Sequence, residues 1–94
     1  MKTIWKYQLD ITYEQVIEIP CGARMLNADV QSSVLCVWVE VTPDERTERV
    51  RFLIRGTGHP YVPEEHEKYI DSVLLDGFVW HVYFVSLMIE EPAP

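Results

Sequence analysis

The amino-acid sequence predicts an all-β protein, a single small antiparallel β-sandwich or partly open barrel of about seven short strands with little or no helix. Three observations lead there. Apolar and polar residues alternate with period two over most of the chain, and a helical 3.6-residue pattern nowhere persists beyond about two turns. Turn-forming residues interrupt the alternation at short intervals. The chain has 94 residues, enough for one core only, since domains usually run to roughly 100–150 residues.

The elements follow in order. In Trp5–Ile11 the odd positions are apolar and the even ones polar, a half-buried strand with one wet face, and Thr12–Glu14 turns it back. Gln15–Ile19 is a short strand stopped by Pro20-Cys21-Gly22, because proline cannot donate to a ladder and glycine supplies the turn. The next strand spans Ala23–Gln31, with Leu26, Ala28 and Val30 on one side and Asn27, Asp29 and Gln31 on the other. Ser32-Ser33 forms a hairpin turn into Val34–Val41, where both alternate rows are apolar. A strand between two layers accounts for that, as does a face covered by a second subunit.

Pro43–Thr47 is an exposed connection into the strand Arg49–Arg55, which Gly56-Thr57-Gly58-His59-Pro60 breaks. Pro63–Tyr69 reads as a loop, at most one helical turn. Tyr69–Leu75, the type I′ pair Asp76-Gly77, and Phe78–Ile89 make a final hairpin. The last strand is apolar on both faces and needs cover from the other sheet or from a partner, so a homo-oligomer is expected. The domain is read as residues 1–89, and residues 90–94 as a flexible acidic and proline-containing tail.

Composition narrows the function. With 48% of residues hydrophobic, the chain is too apolar for disorder, and no apolar run approaches the ~18 residues of a membrane span. Charge and aromatics interrupt Met1–Tyr7 before any signal-peptide core, so a cytoplasmic location is expected. In that reducing compartment Cys21 and Cys36 are free thiols. A net charge of -7 opposes broad nucleic-acid or anionic-membrane binding.

The charge is unevenly distributed. Residues 46–55 hold Arg46, Arg49, Arg51 and Arg55 against Glu48 alone, a local +3 that leaves -10 on the other 84 residues. Arg49, Arg51 and Arg55 share one strand face, with alternate positions roughly 7 Å apart. Such forks suit phosphate or carboxylate. The same arginines can instead pair with cross-strand acids such as Asp29 or Glu40 and simply keep the strand soluble. Gly56, Thr57, Gly58 and His59 can form either a plain corner or a cup of backbone N–H groups for an anion. Tyr13, Tyr61 and Tyr69 fall in or beside loops, and one of them near Arg55, Tyr61 foremost, can stack on a base and convert a phosphate cup into a nucleotide site.

His59, Glu64, Glu65 and His66 lie close together but match no metal-ligand spacing, so neither a metal nor another cofactor is expected. His81 reads as a half-buried strand histidine. No nucleophile, base and acid are spaced for catalysis, and a non-enzymatic role is expected. The acids Glu64, Glu65, Glu67, Glu90 and Glu91 form a candidate surface for docking on a basic protein.

The opening Met1-Lys2-Thr3-Ile4-Trp5-Lys6-Tyr7, Glu18-Ile19-Pro20 with Gly22-Ala23, the run Phe52…Gly56-Thr57-Gly58-His59-Pro60 and Phe78-Val79-Trp80-His81-Val82 resemble a family of small uncharacterised bacteriophage and prophage proteins. The resemblance spans residues 1–84 and brings no catalytic residues with it. It implies a viral accessory protein in the cytoplasm of an infected bacterial host, of the kind that inhibits a defence system by binding. Two mechanisms are expected: sequestering a small nucleotide signal, or docking on a host defence protein. A virion structural or assembly component is the alternative.

Overall fold

The period-two pattern is realised as seven strands: β1 Thr3–Leu9, β2 Glu14–Pro20, β3 Arg24–Gln31, β4 Val34–Val41, β5 Thr47–Gly56, β6 Lys68–Leu75 and β7 Phe78–Ser86. The structure, a computed structural model, describes residues 1–86. No helix among them is long and apolar enough to cross a membrane. All pairings are antiparallel and fall into two sheets, β1-β4-β3 and β2-β5-β7-β6. The fold is a small all-β sandwich. The sheets meet closely along the β3 and β6 edges, where the Ala28 amide donates to Asp71 Oδ2 at 3.3 Å.

The core lies between the sheets. Leu35, Val37, Val39 and Val41 of β4 face Val50, Phe52 and Ile54 of β5, with Ile19 and Val82 completing the layer. Phe52, Ile19, Val37, Val39 and Val82 are entirely removed from solvent. Removing a side chain of Phe52's size from such a layer costs about 3–5 kcal/mol, so this packing holds the strands that carry the site.

β4 is the central strand of its three-stranded sheet. Its second row is shielded by its neighbours, leaving Cys36 1% exposed between Gln8 and Asp29. In β3 the register shifts between Met25 and Asn27, a bulge at Leu26. That extra residue puts Met25 opposite Val39, on the core side with Ala28 and Val30, so the even-numbered row expected from alternation is broken at Leu26.

Both two-residue hairpin turns have left-handed central residues: Ser32 and Ser33 at φ 52° and 64°, and Asp76 and Gly77 at φ 53° and 80°. This is the geometry that follows the twist of the flanking strands. Serine is a poor occupant of the left-handed region, at a cost of about 1 kcal/mol. Ser33→Gly should therefore raise stability by up to about 1 kcal/mol, seen as a higher urea midpoint with an unchanged slope.

The second face of β7 is covered within the chain around Tyr83 and Val85, while Val79 at its start stays 40% exposed. Residues 57–67, the irregular connection from β5 to β6, fold back over the outer face of the four-stranded sheet. Leu53 and Arg55 on that face are consequently buried, at 0% and 3% exposure. The expected continuation of the last strand through Leu87 to Ile89, and the expected tail, lie outside the described residues.

Candidate functional site

The connection 57–67 is anchored at its start by backbone and side-chain contacts. The Thr57 amide donates to the Val79 carbonyl at 3.1 Å and the His59 amide to the Gly56 carbonyl at 3.0 Å. Two of the four N–H groups of Gly56, Thr57, Gly58 and His59 are thus engaged within the protein rather than free to cup an anion. The four residues form a corner. Gly58 meets its left-handed φ of 86°. Gly56 answers a different need, for a Cβ there would lie 2.7 Å from His59 Nδ1 and 3.1 Å from Trp80 Cζ3.

The arginine row shares one face, as the alternation predicts, but two of its members are engaged inside the protein. Arg51 bonds to Glu14 at 2.5 Å and to both carboxylate oxygens of Glu64. Arg55 makes two parallel bonds to Glu67, at 2.8 and 2.9 Å. Its guanidinium also lies 3.9 Å from the Tyr61 ring centroid and 4.7 Å from that of Tyr83. Arg49 remains exposed, opposite Glu18 in the register. Pairing with acids is thus the fate of Arg51 and Arg55, but not with Asp29 or Glu40. Those two belong to the other sheet, where Glu40 pairs with Lys2 and Arg24.

The same contacts remove acids from the expected docking surface. Glu64 and Glu67 turn inward, and Glu67 Oε1 also accepts the Glu64 amide at 2.7 Å. Glu65 stays exposed, while Glu90 and Glu91 lie outside the described residues. The Arg55 hydrogen bonds hold the Glu67 carboxyl below its ordinary value against the opposing effect of burial. Reciprocally, the hydrogen bonds that Arg55 donates to Glu67 raise Arg55, and those that Arg51 donates to Glu64 and Glu14 raise Arg51. Among the described residues no group of three or more His, Cys, Asp or Glu is arranged to hold a metal ion.

Beside this buried pair is a cavity of ≈ 210 Å³. Tyr13, Arg55, His59, Tyr61 and Trp80 line it, together with aliphatic surface from Ile11, Ile54 and Pro60. Strand order explains the assembly: β5 lies between β2 and β7, so the residue before β2 and the first half of β7 converge on the end of β5. Ile54 donates its amide to the Tyr13 carbonyl at 3.1 Å, fixing Tyr13 there. His59 packs edge-on to Trp80 with centroids 6.1 Å apart. Two of these residues hold a nitrogen, Arg55 Nε and Trp80 Nε1, that is buried with no hydrogen-bond partner, the only such side-chain atoms among the described residues. A wider groove of ≈ 470 Å³ near Ser86 has no unpartnered atom of this kind.

Four of the expected ligand residues, Arg55, Gly56, His59 and Tyr61, line the cavity; Arg49, Arg51, Thr57 and Gly58 do not. Tyr61 stacks on Arg55 rather than standing free for a base. Trp80 is absent from the sequence-based site and Tyr13 entered it only as one of three loop tyrosines; the place of Trp80 opposite Gly56 is a matter of strand register, which no local pattern announces.

A second arrangement has no counterpart in the sequence reading. Tyr69 Oη lies 2.6 Å from Ser72 Oγ, which lies 2.7 Å from His81 Nδ1, and His81 Nε2 lies 2.7 Å from Thr57 Oγ1. Thr57 Oγ1 in turn is 3.5 Å from the Val79 carbonyl. A carbonyl only accepts, so every group is satisfied when Tyr69 donates to Ser72, Ser72 to His81 and His81 to Thr57. His81 thereby ties β6 and β7 to the start of the connection.

The family model described as "Domain of unknown function (DUF7352)" matches residues 1–91. No curated protein and no solved structure matches the chain.

Proposed function

Since the chain belongs to that domain family, whose description names no activity, we propose from the site itself that it is a non-enzymatic binding protein capturing a small ligand in the cavity walled by Tyr13, Arg55, His59, Tyr61 and Trp80. The observation that carries this reading is that two residues lining the cavity, Arg55 and Trp80, each hold a buried donor, Nε and Nε1, without an acceptor. An unsatisfied buried donor costs about 1–3 kcal/mol, and a ligand bringing an acceptor recovers that cost. Rings and donors of this kind hold and orient a molecule.

Taken with the resemblance to phage and prophage proteins, the function is sequestration of a small signal in the cytoplasm of an infected bacterium, which blunts a host defence pathway. Mechanistically, the ligand enters beside Tyr61 and is held by shape, stacking and donor hydrogen bonds. The paired Arg51 and Arg55 add no net charge for a phosphate, so the arginine-row form of the idea loses its support. The acidic-docking form likewise loses Glu64 and Glu67. Exposed Leu74, Phe78 and Val79 at the β6–β7 turn support a homo-oligomer, as apolar clusters of this kind do.

Native mass spectrometry of the protein isolated from cells carrying the phage tests the reading. The expected spectrum shows each chain with a bound small molecule, released on denaturation, and reports the oligomer directly. Bare chains under all mild ionisation conditions, together with no thermal shift across a small-molecule library, would count against capture.

A further inference from the structure

The wall of this cavity restricts the ligand further. We infer, resting on the capture reading, that the occupant is an unphosphorylated flat heterocycle bearing carbonyl or ring-nitrogen acceptors, of the nucleobase or nucleoside class. Four features carry the inference.

Size comes first: ≈ 210 Å³ is below the roughly 300–1,000 Å³ of pockets that bury drug-sized molecules, and suits one ring system. Second, Tyr13, His59, Tyr61 and Trp80 present aromatic surface, which favours a flat π-system. Third, the unpartnered nitrogens are on Arg and Trp side chains, which only donate, so the ligand supplies acceptors. Both nitrogens are sealed from solvent. An acceptor reaches Arg55 Nε as the Tyr61 ring, 43% exposed and 3.9 Å from the Arg55 guanidinium, gives way, and reaches Trp80 Nε1 as the His59 ring packed against that indole shifts.

Charge is the fourth feature. Glu67 neutralises Arg55, and Glu14 and Glu64 together outweigh Arg51. Glu65 adds a further negative charge to the connection. A phosphate brought here loses its hydration without meeting an unpaired cation. The aromatic wall therefore selects the ring and the local charge rejects the phosphorylated form.

The test uses the ¹⁵N-labelled full-length chain and follows the arginine Nε–H and tryptophan Nε1–H signals. Probes are uracil and hypoxanthine, their nucleosides, the corresponding monophosphates, and toluene as a ring without acceptors. The expected result is saturable movement of the Arg55 and Trp80 signals with at least one base or nucleoside, and tenfold or weaker binding of its monophosphate. Trp80→Phe, which keeps a ring and removes the donor, should weaken binding about tenfold, the loss of one hydrogen bond, while its amide spectrum reports an intact fold. Monophosphate binding as tight as that of the nucleoside, equal binding of toluene, or unchanged affinity in Trp80→Phe overturns the inference and leaves capture standing. Silence from every probe, toluene included, overturns the inference, and the native mass spectrum then decides whether capture falls with it.

Discussion

Glu67→Ala will destabilise the fold by about 3–5 kcal/mol, the cost of leaving one member of a buried pair without its partner. Arg55 has a side chain only 2% exposed, and Glu67 is the acid that neutralises it. The matching truncation Glu14→Ala should cost no more than about 1 kcal/mol, because the Glu14 carboxylate is 50% exposed and Arg51 retains Glu64. Urea unfolding of the two variants separates these cases, and equal midpoints would show that the Arg55 pair is not a buried anchor. Replacing both partners together, as Arg55→Met with Glu67→Leu, should recover most of the loss, since an apolar pair pays no charge desolvation.

The same pair sets a pH dependence whose sign is fixed. The folded-state Glu67 carboxyl is held below its ordinary value by the Arg55 hydrogen bonds. The unfolded chain therefore takes up this proton at a higher pH than the folded one. The stabilisation is fully present above the unfolded carboxylate value, about 4.3, and is lost as the pH falls through the lower folded value. The parent protein should show a stability decline below about pH 4.3 that is shallower in Glu67→Ala. Identical acid limbs would remove the pair from the account.

The strands were legible because alternation is local: two neighbouring residues suffice to say which faces in. Asp76-Gly77 was legible for the same reason, as a turn preference carried by two residues. Sheet membership was not. Nothing local to β2 or β5 says that they pair with each other while β3 and β4 pair elsewhere, and that partition decides which acids can reach the arginines. Arg51 and Arg55 lie on one strand face four residues apart, and Glu64 and Glu67 lie three apart in the connection that follows. That spacing was visible, but the fold-back of residues 57–67 has no periodicity to announce it. The cavity was partly legible through Arg55, Gly56, His59 and Tyr61. It was incomplete because Tyr13 and Trp80 arrive from β-strand neighbours distant in sequence.

The two glycines of the corner separate these kinds of information experimentally. At Gly58 the left-handed φ of 86° is the whole requirement, since a Cβ there would meet nothing within 4 Å. Gly58→Ala should cost about 1 kcal/mol through backbone strain and leave the cavity intact. Gly56→Ala meets His59 Nδ1 at 2.7 Å, His59 Cε1 at 2.8 Å and Trp80 Cζ3 at 3.1 Å. The His59 ring, exposed to solvent, must swing off its seat against Trp80, at the low end of overpacking costs, about 1 kcal/mol, and with loss of one cavity wall. Ligand binding should then fall sharply in Gly56→Ala while Gly58→Ala binds as the parent does. Adding His59→Ala to Gly56→Ala removes the two closest contacts, leaving only Trp80 Cζ3 at 3.1 Å, and should recover most of the stability without restoring the aromatic wall. If instead the two glycine variants bind ligand alike, backbone freedom rather than close packing is what the corner demands, and Gly56 has no part in shaping the site.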